Sequence, residues 1–158
     1  MPVLKLVTEI RAPIERVFDL SRSIDMHAAS MAGRGETAVA GITTGLIGLG
    51  ESVTWRARHF GVWQRLSSRI TSLSSPHHFR DEMVSGAFAR FVHDHDFAEI
   101  QGGTRMTDTF DYTSPLGPLG GLADLLVLER YMRRLLDERN QVIREVAESA
   151  RWREFLPA

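Results

Sequence analysis

The closing stretch PLGGLADLLVLERYMRRLLDERNQVIREVAESARWREFLPA, Pro118–Ala158, decides the fold. Leu122, Leu125, Leu126, Met132, Leu136, Ile143 and Val146 recur at steps of three and four, and Asp124, Arg133, Asp137, Glu138, Arg144 and Glu145 fill positions between them. That period places an apolar stripe on one side of a helix. No Gly or Pro interrupts Leu122 to Leu156, so the spacing predicts one helix of about thirty residues, roughly 45 Å long. Ser114-Pro115, Pro118 and the glycines at 117, 120 and 121 mark its start. Leucines are denser in its first turns than in its last, which predicts that the N-terminal half is the buried one. An element of this length is what the rest of the chain is expected to wrap.

Working back from it, the chain reads as strands. Val3 to Arg11 alternates as a first strand and Ala12-Pro13 stops it. Pro13 suits the start of a short helix, Ile14 to Leu20, and Ser21 is placed to cap a second one running to about Ser30. Glu36 to Gly41 is a weak strand, followed by the Gly-rich apolar stretch Gly41 to Gly50. A meander then covers Glu51–His59, Val62–Leu73, His78–Val84, Ala87–Ala98 and Thr104–Thr113. Its turns fall at Phe60-Gly61, Ser74-Ser75-Pro76, Ser85-Gly86 and Gln101-Gly102-Gly103, and turns this short make successive strands antiparallel.

Alternation sorts the faces of that sheet. Val53, Trp55, Ala57, His59, Leu66, Ser68, Ile70, Phe79, Asp81 and Met83 fall on one side, with Phe91, His93, His95, Phe97, Met106, Asp108, Phe110 and Tyr112. Arginines and acids dominate the other side, the pattern of an antiparallel sheet covered on one face. The fold class is therefore α+β, a curved sheet of six to seven antiparallel strands under one long helix. Opposing Glu99 to Thr104 sets His95 against Asp108 and His93 against Phe110, and Asp81 on the preceding strand is in reach of His93. On the outer face, Arg56 is expected opposite Arg65, and Arg58 opposite Trp63 in a cation-π contact.

The combination resembles the helix-grip fold of the START, birch-pollen-allergen and polyketide cyclase superfamily (SRPBCC). The residues that carry the resemblance are Ala12-Pro13-Ile14-Glu15-Arg16-Val17-Phe18-Asp19, the Gly86-Ala87-Phe88 turn leading into Phe91-Val92-His93-Asp94-His95-Asp96-Phe97, Gly103-Thr104-Arg105-Met106-Thr107-Asp108, and Ser114 to Gly120. They are similar to the bacterial cyclase/dehydrase-like, ligand-binding members, over essentially the whole chain. The resemblance implies a hydrophobic cavity between sheet and helix and a small, largely hydrophobic ligand such as a lipid, an isoprenoid or a polyketide. The Gly41–Gly50 loop, with Leu46, Ile47 and Leu49, is a candidate for its rim.

Composition narrows the classes. A chain of 158 residues has the length of one domain able to bury about two thirds of its unfolded surface. The absence of cysteine excludes disulfides and thiolate metal sites. A formal charge of −1 gives no reason to expect nucleic acid as partner. No signal-peptide pattern and no apolar run long enough for a membrane span is visible, so a cytoplasmic location is expected. No cofactor is implied, and the chain reads as monomer or homodimer, the tail Arg151 to Leu156 docking on its own domain or on a second copy.

The chemistry concentrates on His93 and His95, which share a strand face about 7 Å apart. With Asp108 and Asp81 they form either a buried structural network, an anchor for a ligand's polar end, or an acid–base pair for cyclisation or dehydration, His95 with Asp108 being the candidate catalytic pair. Metal binding by His93, His95 and a carboxylate is the weakest of these readings, because two histidines on one flat strand without a signature spacing elsewhere make a weak motif. Trp55, Phe88, Phe110, Tyr112, Leu126 and Met132 are candidate lining, joined by His59 and Phe91 on the inward face. Glu129 near the helix stripe is a candidate partner for a sheet cation or for the ligand. A non-catalytic interaction domain in stress response or cell division is the remaining reading.

Overall fold

The computed structural model describes residues 2–115 and 121–157. Strand β1 (Val3–Ile10) leads into helices α1 (Ile14–Ser21) and α2 (Ile24–Ser30), then a 3-10 turn (Ala32–Arg34). Strands β2 (Thr37–Gly41), β3 (Ser52–His59), β4 (Val62–Ser74), β5 (His78–Ser85), β6 (Arg90–Ile100) and β7 (Gly103–Thr113) follow. Helix α3 (Leu122–Ala147) and a 3-10 segment (Ala150–Glu154) close the chain. The seven strands form one antiparallel sheet in the order β1-β7-β6-β5-β4-β3-β2. The expected helix-grip architecture is present.

The turns behave as their residues require. Phe60 and Gly61 both adopt positive φ, 51° and 75°, which matches the two-residue connection joining His59 to Val62 to the right-handed twist of the strands. The registers His95↔Asp108, His93↔Phe110, Asp81↔His93 and Arg56↔Arg65 are as the alternation predicts. Arg58 does oppose Trp63, but the guanidinium over that ring is the diagonal one, Arg56 at 4.1 Å.

Several boundaries differ from the sequence reading. Helix α2 is capped by Ser23, whose hydroxyl accepts from the Met26 amide, while the Ser21 hydroxyl donates back to the Val17 carbonyl inside α1. Helix α3 stops at Ala147, so its 26 residues span about 39 Å. The tail then turns and docks on its own domain: Trp152, Phe155 and Leu156 pack against the core, with Arg16 stacked 4.4 Å over the Trp152 ring. The proposed start signals at residues 116–120 lie outside the described residues.

The larger correction concerns which half of α3 is buried. Leu122 is 74% exposed and Val127 56%, whereas Leu135, Leu136, Ile143, Val146 and Ala147 are buried. Leucine density misled because α1 and α2, which pack on α3, share their core with its C-terminal end. There Ile143 and Val146 join Val17, Phe18, Ile24, Met26 and Met106 in the main core. Each such aliphatic side chain contributes about 1.5–3 kcal/mol by leaving water. A second cluster, Leu4, Phe91, Phe110, Tyr112 and Leu136, fills the opposite end. Between the two, sheet and helix do not close.

Candidate functional site

The unfilled space is a cavity of about 340 Å³ between the concave face of the sheet and α3. Of the predicted lining, Trp55, His59, Asp81, Phe88, Phe91 and Phe110 reach it from the sheet side and Met132 from the helix, together with His93 and His95. Four predicted residues do not border it. Asp108 lies behind the histidines with no exposure. Tyr112 is equally buried among Phe88 and Phe110, and among the described residues its hydroxyl has no hydrogen-bond partner. Leu126 is 47% exposed, and Glu129 turns to Arg133 one helical turn on, at 3.9 Å, rather than to a sheet cation. Of the loop residues, Ile47 is buried and lines the cavity, whereas Leu49 faces outward. The loop is fastened to the α1–α2 junction by hydrogen bonds from the Ile24 amide to the Gly45 carbonyl and from the Ile47 amide to the Arg22 carbonyl.

One wall carries a buried polar cluster. His93 Nε2 donates to Asp108 Oδ1 at 2.9 Å and His95 Nε2 to Asp81 Oδ1 at 2.9 Å. Both bonds run diagonally across the ladder instead of to the directly opposed residue. His95 Nδ1 lies 3.1 Å from Asp108 Oδ1 without the alignment of a hydrogen bond, so that contact is mainly electrostatic. The imidazoles lie against each other at a tilt of 34° with centroids 3.8 Å apart, and Phe79 stacks on His95 at 4.1 Å.

Helix α3 completes the cluster with two residues that sequence reasoning passed over. Asn140 Nδ2 donates to Asp108 Oδ2 at 2.7 Å, and Arg139 Nη1 donates to Asn140 Oδ1 while standing 3.5 Å from Asp108 Oδ1. Both are buried. A signal existed: Arg139 and Asn140 fall three and four residues after Leu136 and before Ile143, inside the apolar stripe, where a polar residue needs a buried partner.

The electrostatics follow from this geometry. Burial opposes ionisation of Asp108, but the hydrogen bond from His93 and the close approach of His95 outweigh it and hold the carboxyl well below its ordinary range. Asp81 is lowered in the same way, burial being outweighed by the bond from His95 and the nearby histidine charges. Burial and the neighbouring His95 push His93 down. For His95 burial also acts downward, yet Asp108 and Asp81 together raise it. The pair therefore divides into one neutral imidazole and one that retains its proton more readily.

A second polar group lines the cavity near the α2 side. His27 pairs with Glu36 at 2.7 Å and its ring lies 4.3 Å from that of Trp55, while His59 Nδ1 is bonded to the Tyr131 hydroxyl at 2.7 Å. Glu36 stays below its ordinary value because His27 attracts it against the effect of burial, and burial lowers His59. Of this group only His59 stood among the predicted lining.

A curved seven-stranded sheet gripping a C-terminal helix over an internal cavity defines the class: a helix-grip protein. The family model described as "Polyketide cyclase / dehydrase and lipid transport" matches residues 1–148, and the chain belongs to that family. Among solved structures it is similar to TTHA0849 from Thermus thermophilus, at 22% identity and a TM-score of 0.72 over 94% of this chain and all of that one. The ginseng major latex-like protein 151 from Panax ginseng is similar at 15% identity and TM-score 0.67, covering 94% and 98% of the two chains. The di-domain ARO/CYC BexL of the BE-7585A biosynthetic pathway aligns at 18% identity and TM-score 0.70 over 94% of this chain and 50% of that one. At these identities the likeness concerns the fold. No curated protein sequence matches the chain. Among the described residues no helix is long and apolar enough to cross a membrane.

Proposed function

We propose that the protein binds a small, largely apolar molecule between the sheet and α3, its polar group held at the wall formed by Asp81, His93 and His95. The observation that carries this reading is the cavity of about 340 Å³, within the range of small-molecule sites and walled by aromatic and aliphatic side chains with a few convergent polar groups. Membership of a family whose description spans lipid transport and polyketide cyclisation supports the same class of occupant. The test is thermal unfolding of delipidated protein with fatty acids, isoprenoids and aromatic polyketides. A ligand at a hundred times its dissociation constant stabilises by about 2.7 kcal/mol, a rise of about 5–11 °C for a chain of this size. No shift with any compound, together with no co-purified molecule in the native mass spectrum, overturns the reading.

One observation favours a second reading, a cyclase or dehydratase. His95 borders the cavity while held between Asp81 and Asp108, the setting in which an imidazole exchanges protons near neutral pH. On this reading His95→Gln abolishes turnover of a polyketide substrate while binding persists; equal loss of both leaves anchoring as the role.

A further inference from the structure

The same wall aims three donor atoms at one place. Asp81 of β5 and His93 and His95 of β6 each supply one, and the three lie within 4.8 Å of one another. A tetrahedral ion with bonds of about 2.0–2.1 Å keeps its ligand atoms ~3.3 Å apart. From Asp81 Oδ1 the distances here are 2.9 Å to His95 Nε2 and 3.9 Å to His93 Nδ1, one just inside and one just outside that spacing. Binding of one ion by all three requires the gap between Asp81 and His93 to close by about 0.6 Å.

The groups behind the donors fit as well. Each imidazole has its other nitrogen close to Asp108 Oδ1, His93 Nε2 in a hydrogen bond at 2.9 Å and His95 Nδ1 at 3.1 Å in an electrostatic contact. The other oxygen of Asp108 is gripped by Asn140 at 2.7 Å. A carboxylate behind a metal-binding imidazole fixes the ring and strengthens its basicity, and here one fully buried carboxylate faces both rings. The third ligand comes from the neighbouring strand, where the β5–β6 register brings Asp81 level with His93.

We propose that Asp81, His93 and His95 form a site for one divalent transition-metal ion, supported from behind by Asp108 and Asn140. Two imidazoles and one carboxylate select zinc or iron(II) over magnesium or calcium, which require oxygen ligands throughout. All three ligands border the cavity, so the remaining coordination positions open onto it and take water or an oxygen of the occupant. The proposal goes beyond the apolar-ligand reading and does not rest on it.

The test uses full-length protein stripped with a chelator, titrated with Co(II) followed by visible absorption and with Zn(II) by calorimetry. The expected result is one ion per chain, with Zn(II) displacing the Co(II) spectrum. Asp81→Asn, which keeps the side chain's shape, weakens binding by about 100-fold or more, and Asn140→Ala weakens it about 10–100-fold, circular dichroism confirming a native fold; His95→Gln replaces any variant that fails to fold. A double substitution of His77 and His78, the latter paired with Asp94 and Asp96 on the outer face, leaves binding unchanged. Absence of uptake below millimolar concentration, binding that survives both Asp81→Asn and His95→Gln, or binding lost with His77 and His78 overturns the proposal. Apolar compounds that still stabilise a protein without ion uptake overturn the metal site alone; ion uptake without any such stabilisation overturns only the apolar-ligand reading.

Discussion

Replacing Asp108 with Asn removes one charge and almost no volume from the point where sheet and helix meet. The carboxylate has no exposure; one oxygen accepts from Asn140 at 2.7 Å and the other from His93 at 2.9 Å, with Arg139 at 3.5 Å. An amide at this position turns its NH2 toward Asn140 Nδ2–H, a second donor, or toward His93 Nε2, which can accept only by moving its proton to Nδ1. Asn140 is not free to flip in compensation, because its own oxygen is held by Arg139 at 3.0 Å. One buried hydrogen bond is therefore lost, at a cost of about 1–3 kcal/mol, or kept only by forcing His93 into its other tautomer. Arg139 and His95 also lose the carboxylate they face, and breaking a buried charge network of this kind costs about 3–5 kcal/mol in total. For a chain of this length that is a fall in Tm of about 6–20 °C at pH 7, read by circular dichroism with reversibility checked. Exchanging the pair, Asp108→Asn with Asn140→Asp, returns a carboxylate to Arg139 but not to His93. Partial recovery is expected, with a coupling energy of about 0.5–3 kcal/mol between the two sites. A fall below about 2 °C for Asp108→Asn, or zero coupling with Asn140, refutes the view that this network ties α3 to the sheet.

The opposed shifts of the two histidines give a stability test against pH. His95, raised in the fold, contributes stability that is fully present below about 6.5 and is lost as pH rises through its folded value. His93 and the two carboxyls are lowered, so their contributions are present above their ordinary values of about 6.5 and 3.9 and are lost as pH falls through the folded ones. Urea unfolding of His95→Gln and the parent protein should therefore differ more at pH 6 than at pH 9, and equal differences refute the assignment. The burial gradient along α3 is checked by alanine substitution. Ile143→Ala, at a site 1% exposed, costs about 2–5 kcal/mol, whereas Leu126→Ala, at a site 47% exposed, stays within about 0.5 kcal/mol; comparable losses refute it.

What the sequence made legible, and what it hid, divides along a physical line. Strand faces follow from a period of two, and hairpin registers follow from turns such as Phe60-Gly61, so the inward set from Val53 to Tyr112 and the pairing of His95 with Asp108 were readable from the residues alone. Hydrogen bonds made on the diagonal were not, because register fixes where a side chain starts and not which neighbour it reaches; His93 passes over its opposed Phe110 to bond Asp108. The helix was legible in phase but not in depth. Its apolar stripe names a face, while the half that is buried depends on α1 and α2, whose residues share a core with Ile143, Val146 and Ala147 near its C-terminal end. That placement also explains the two residues passed over. Arg139 and Asn140 look like ordinary helix-surface polarity when the N-terminal half is taken as the buried one. Once Ile143 and Val146 are seen to anchor the helix, a guanidinium and an amide one turn before them must be buried, and a buried pair of that kind demands an acidic partner on the sheet. On the inward face of the sheet Asp81 and Asp108 are the acids that reach it; Asp108, behind both histidines, is the one that Asn140 meets.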